Sequence, residues 1–119
     1  KVLLRQKDVL NAEPEGKLYD VIVSNPPYIT HKEKVDMEAN VLDWEPSLAL
    51  FVPDEDPLLF YRKIARLGCE ILKEGGSLYF EINRAYGQET ILMLNELGYN
   101  QIELKKDSWG NDRMIKAKR

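Results

Sequence analysis

The sequence predicts an α/β domain whose mostly parallel sheet ends in an antiparallel hairpin, and three observations predict it. Strand-like and helix-like apolar periods alternate from Tyr19 to Leu97, the order that builds layered α/β folds. The run Leu78-Tyr79-Phe80-Glu81-Ile82 is nearly all apolar, as in a central strand covered on both faces. Ile102 and Leu104 alternate with charged residues, and Ser108-Trp109-Gly110-Asn111-Asp112 turns the chain into Met114-Ile115. With 119 residues there is room for one core and not for two.

The elements follow in order. Val2-Leu3-Leu4 is a short branched run that reads as a strand, with Gln6-Lys7-Asp8 beyond its carboxyl end. Glu13-Pro14-Glu15-Gly16-Lys17 marks a surface turn. Tyr19-Asp20-Val21-Ile22-Val23 is a strand, and Pro26-Pro27 stops it because two prolines remove two ladder donors. From Ile29 to about Asp56 no period is sustained, so a long loop is expected, a feature uncommon unless it carries function. Asp56-Pro57 reads as an N-cap and first helical residue, and Phe60, Ile64, Leu67, Gly68 and Ile71 recur at helical spacing up to Gly75. Gln88 to Leu97 carries Ile91, Leu94 and Leu97 on one face, with Gly98 as the cap.

Composition excludes several classes of function. Hydrophobic residues are 44% and charged residues 31%, the balance of a globular chain and not of a disordered one. Seventeen Lys and Arg against twenty Asp and Glu leave a net charge of −3, so no general positive field holds a polyanion and no stable nucleic-acid binding is expected. Apolar runs such as Leu48 to Val52 fall far short of the roughly 18 residues a membrane span needs, and a cytoplasmic protein is expected. One cysteine, Cys69, and one histidine, His31, assemble no zinc spacing, so no metal is expected. His31 reads as an exposed loop residue and Cys69 as a small core residue.

In open α/β sheets ligands bind beyond the carboxyl ends of strands, and Asn25-Pro26-Pro27-Tyr28 occupies such an end. Asn25 offers an amide oxygen and Pro26 a carbonyl with no competing N–H. Two converging acceptors suit a planar group bearing NH2, whose nitrogen is a weak nucleophile until both N–H bonds are held and its lone pair is aimed. The ring of Tyr28 suits both a flat acceptor and a nearby sulfonium cation, so the fitting electrophile is the methyl group of S-adenosylmethionine. The nitrogen proton becomes acidic only after attack, so neither a strong base nor a metal is demanded. The plainer reading of the same residues is a turn that ends a strand.

The segment from Tyr19 to Ile29, with its Asn-Pro-Pro-Tyr, resembles the motif of Rossmann-like S-adenosylmethionine-dependent methyltransferases that modify the nitrogen of a planar group, and specifically the HemK-type (PrmC-like) protein-glutamine methyltransferases. Trp44-Glu45-Pro46 with Leu48-Ala49-Leu50 is similar to that family's aromatic-Glu-Pro segment, and Trp109-Gly110-Asn111-Asp112-Arg113 to its terminal turn. The resemblance covers essentially the whole chain. It implies SN2 methylation of the side-chain amide of the glutamine in the Gly-Gly-Gln motif of a peptide-chain release factor. By the same resemblance Asn25, Pro26 and Tyr28 are the catalytic residues. Asn25, Pro26, Pro27 and Tyr28 bind the substrate, with Glu45 as a wall, and Asp8, Val9 and Asn25 touch the cofactor, Asp8 by accepting from the adenine amino group. Asp8 otherwise reads as a solvated loop carboxylate, and Trp109 and Arg113 as residues that secure the hairpin by stacking or by pairing with an acid.

The sequence departs from that family in one respect. Its seven glycines, Gly16, Gly68, Gly75, Gly76, Gly87, Gly98 and Gly110, contain no G-x-G spacing after a first strand, where the cofactor's methionine and ribose need a bare backbone. Residues 1–119 are therefore expected to be the carboxyl-terminal part of one methyltransferase domain, inactive alone. In the family's strand order, 3-2-1-4-5-7-6, such a part leaves an edge at Val21 to Ser24, and the expectation is that Val2 to Leu4 is poorly ordered or paired non-natively, or that two chains associate through this edge. Two other readings stand beside this one: an adenine-N6 nucleic-acid methyltransferase, which meets the same geometric problem, and a non-catalytic remnant that binds a partner through its edge.

Overall fold

The structure, a computed structural model, describes residues 6–11, 16, 19–26, 29–30, 51–52 and 55–119. The strand expected at Val2 to Leu4 and the turn residues around Gly16 lie outside them. In chain order the elements are β1 (Tyr19–Ser24), β2 (Ile29–Thr30), β3 (Phe51–Val52), α1 (Leu59–Ile71), β4 (Leu72–Glu81), α2 (Gly87–Glu96), β5 (Asn100–Lys106) and β6 (Asp112–Lys118), with short 3-10 turns at Val9–Asn11 and Arg84–Tyr86.

The main sheet has the order β1-β4-β6-β5. β1 runs parallel to β4, while β6 is antiparallel to both β4 and β5. Three strands therefore share one direction and β6 alone opposes them, as the predicted parallel sheet with a closing hairpin requires. The β2–β3 pair, parallel with Ile29 opposite Phe51, was not foreseen, because two-residue strands leave no period to read.

One side of the sheet carries the core. Leu78 and Phe80 from β4, Ile82 just beyond it, and Ile115 and Ala117 from β6 are buried against Tyr61, Ile64 and Ala65 of α1 and Met93 and Leu94 of α2. β4 is central, as its apolarity predicted. Its second face is less covered than expected, with Ser77, Tyr79 and Glu81 only half-buried.

Two helix boundaries differ from the sequence reading. Asp56 is not the cap of α1. Both its carboxylate oxygens instead accept from the Arg62 guanidinium, at 2.9–3.1 Å, and the N-cap position falls on Leu58 without a side-chain bond. A planar fork from six residues ahead outcompetes a lone N–H for the carboxylate. α1 also stops at Ile71, because Leu72 is already extended and paired with Tyr19. Between that pair and Val21 opposite Ser77 the register jumps, and Gly75, at φ +81°, turns the extra residues of β4 outward. The end of α2 follows the prediction: Gly98 takes φ +91°, its N–H donates to the Asn95 carbonyl, and the Tyr99 N–H reaches the Leu94 carbonyl. That double bond pattern ends many helices.

Candidate functional site

Proline placement builds the site. Ser24 is the last ladder residue of β1, opposite Phe80, and Pro26, two residues on, has no N–H with which to extend the pairing. The chain leaves the sheet there with Asn25 exposed and Pro26 buried.

In front of this bend lies a cavity of about 520 Å³, lined by Lys7, Asp8, Val9, Ser24, Pro26 and Phe60 among others. Residues from two separate stretches, each predicted as part of the site, thus share one hollow: Asp8 and Val9 from before β1, and Pro26 from after it. Asn25 stands between two residues that line it. Pro27, Tyr28 and Glu45, together with Trp44 and Pro46, lie outside the described residues, as does His31.

Asp8 sits at the mouth as an exposed carboxylate with a local task. Its Oδ1 accepts from the Leu10 N–H at 3.1 Å and its Oδ2 from the Asn11 side-chain amide at 2.7 Å, which shapes the 3-10 turn at Val9–Asn11. Each carboxylate oxygen has a second lone pair, so this task leaves room to accept one further N–H from a guest.

α1 supplies the far wall. Phe60 and Ile64, read in the sequence as core-facing, have the cavity on their other side. Tyr61, one position off the apolar stripe, was missed although no part of it is exposed. Its hydroxyl donates to the Glu81 carbonyl at 3.1 Å and accepts from the Asn83 N–H at 3.0 Å, and its ring meets Phe80 edge-on at 5.1 Å. It clamps the carboxyl end of β4 beside the bend. The available signal was an aromatic pair, Phe60-Tyr61, in which one hydroxyl must find a partner once buried.

Arg113 pairs with an acid, as one of the two readings had it: its guanidinium donates to Asp107 Oδ2 at 3.0 Å. The other Asp107 oxygen accepts the N–H groups of Trp109 and Asn111 at 2.9 and 3.0 Å. These bonds, that from Asn111 foremost and Arg113 next, hold the Asp107 carboxyl below its ordinary value of 3.8. Cys69 is half-buried against the core, with its thiol 3.5 Å from the Leu97 carbonyl. Nearby, burial pushes the Tyr99 hydroxyl well above the usual tyrosine value, and that hydroxyl donates to the Ala65 carbonyl at 2.7 Å.

A second hollow of about 380 Å³ runs along the outer edge of β1 and is lined by Val9, Tyr19, Val21, Val23, Leu67 and Ile71. Among the described residues β1 has β4 as its one neighbour in the sheet, and Val23 is 75% exposed. The edge foreseen at Val21 to Ser24 is therefore present among the described residues. No described helix is long and apolar enough to cross a membrane.

No protein-family model matches the chain. Known proteins do. It is 58% identical over 120 residues to the release factor glutamine methyltransferase of Bacteroides thetaiotaomicron, an alignment that takes in 100% of this chain and 43% of that protein. The protein of the same description from Flavobacterium psychrophilum is 50% identical over 112 residues, covering 94% of this chain and 39% of its own. The crystal structure of a release factor-specific protein-(glutamine-N5) methyltransferase from Alicyclobacillus acidocaldarius superposes with a TM-score of 0.54 at 26% identity, over 86% of this chain and 49% of that one. The chain spans about two fifths of the length of the curated relatives it matches. Over the region it spans, sequence and fold agree, and the chain is similar along its whole length to release factor glutamine methyltransferases of the HemK type.

Proposed function

We propose that this chain supplies the acceptor-binding side of an S-adenosylmethionine-dependent methyltransferase that modifies the side-chain amide nitrogen of the Gly-Gly-Gln glutamine in a peptide-chain release factor. The observation that carries the reading is the exposed Asn25 beside the buried Pro26, at the lip of a cavity that Asp8 and Val9 also line.

In this reading the Asn25 amide oxygen and the Pro26 carbonyl each accept one N–H of the glutamine amide. Holding both fixes the plane of the amide and points the nitrogen lone pair across the cavity, an orientation effect that replaces stronger chemistry. S-adenosylmethionine, when bound, supplies a methyl carbon on a positively charged sulfur. Asn25 and Pro26 would keep the nitrogen lone pair aimed at that carbon, in line with the carbon–sulfur bond that the transfer replaces. Asn25 and Pro26 then hold the acidified N–H until its proton passes to solvent. By the family resemblance alone, Tyr28, Pro27 and Glu45 are further candidates for this acceptor site; they lie outside the described residues.

The described residues fit one part of the cofactor. The lone pairs left on Asp8 suit an adenine amino group, with the Val9 backbone beside it. No glycine-rich turn is present in the chain for the methionine and ribose, so that part of the cofactor needs residues beyond these.

The test is methyl transfer by the full-length protein that carries this sequence. Given methyl-labelled S-adenosylmethionine and a release factor, it should place one methyl group on the glutamine of Gly-Gly-Gln, located by peptide mass spectrometry. A release factor with that glutamine replaced by alanine should accept none. Label on adenine in DNA or RNA and none on the release factor would contradict the reading.

A further inference from the structure

The β5–β6 hairpin displays one side chain that neither the core nor the proposed site uses. Trp109 is 86% exposed at its tip. An indole left in water returns none of the stability that its burial would bring. Yet its backbone is pinned. The Trp109 N–H donates to Asp107 Oδ1 at 2.9 Å, the Gly110 N–H to the Asp107 carbonyl at 3.1 Å, and Arg113 holds the second Asp107 oxygen at 3.0 Å. Rigid, exposed aromatics are the anchors around which protein interfaces concentrate their affinity, because little ordering entropy is lost when they dock.

Strand register places this tip. Ser24 is opposite Phe80, and Glu81 is opposite Met114. The carboxyl ends of β1 and β4 and the amino end of β6 therefore share one border of the sheet, the border at which Asn25 leaves it. β6 lies two strands from β1, which at about 4.8 Å per step is about 10 Å. About three residues of extended polypeptide cover that distance. Met114, 41% exposed, lies on this path. Four charges beside the turn are paired, Lys106 with Asp112 at 2.6 Å and Arg113 with Asp107, while Glu81 and Lys105 flank Met114 in the ladder, so at the turn itself the indole is the apolar contact on offer.

We propose that Trp109, with Met114 beside the path to it, is a docking contact for the protein that carries the acceptor glutamine. The segment flanking the glutamine runs from the Asn25–Pro26 bend across the ends of β4 and β6 and seats an apolar side chain on the indole. This rests on the function proposed above and adds to it a recognition surface outside the cavity.

The experiment compares wild type, Trp109→Ala and Trp109→Phe in the full-length protein, with an intact release factor as substrate. Trp109→Ala should raise KM for the release factor about tenfold and leave kcat within about twofold, with an unchanged thermal midpoint. Trp109→Phe should restore most of the loss. An unchanged KM for Trp109→Ala overturns the docking role and leaves the proposed function standing. So does a fall in kcat or thermal midpoint that accounts for the whole effect, since that marks a structural role. Wild-type protein that methylates no release factor overturns both.

Discussion

Tyr61 shows how a single side chain couples the core to the site. Its ring packs edge-on against Phe80, and its hydroxyl bridges the Glu81 carbonyl and the Asn83 N–H, so the last residues of β4 are tied to the first turn of α1. A buried hydroxyl that both donates and accepts is expensive to delete because two backbone groups lose a partner at once. Tyr61→Phe keeps the ring and removes those bonds. It should lower unfolding free energy by about 1–2 kcal/mol, read as a shifted urea midpoint at constant slope. The position was hidden in the sequence because the apolar stripe of α1 runs through Phe60 and Ile64, and nothing local says that the next residue faces inward as well. Asn25 and Pro26, by contrast, were legible, since proline chemistry alone dictates where the ladder must end.

Among the elements, those whose ends are set by backbone chemistry matched their prediction, and those whose ends are set by tertiary competition did not. Gly98 ends α2 because a left-handed residue is needed there. Pro26 ends β1 for want of a donor. The start of α1 moved because Arg62 captured Asp56, and its end moved because Leu72 found Tyr19 across the sheet. Neither partner is visible in a local pattern. The β5–β6 hairpin was readable from its alternation and turn residues, while the hub role of Asp107 was not. That carboxyl titrates below its ordinary value, so its contribution is complete above the usual carboxylate range and is lost as pH falls through its lowered value. Thermal midpoints measured from pH 7 down to pH 2 should therefore drop below about pH 4, and Asp107→Asn should flatten that part of the profile.

For the molecule as a whole, the strand order β1-β4-β6-β5 brings the ends of three elements to one border, and the candidate site, the Tyr61 clamp and the Trp109 tip all lie along it. The outer edge of β1, with its apolar hollow, adjoins that border, in a chain that spans about two fifths of its relatives. This division explains what was legible about function. The proposed acceptor side lies in a short contiguous motif, whereas the glycine-rich turn that the proposed cofactor would need has no counterpart in these residues. If the bend after β1 holds the acceptor amide, its loss must affect chemistry far more than folding, because Asn25 is exposed and outside the core. The decisive experiment is turnover of a release factor by the full-length protein bearing Asn25→Ala. A fall in kcat of about a hundredfold or more, the usual effect of removing one positioned hydrogen-bonding group from a transition state, is predicted, with an unchanged thermal midpoint. Turnover within about twofold of wild type would contradict it.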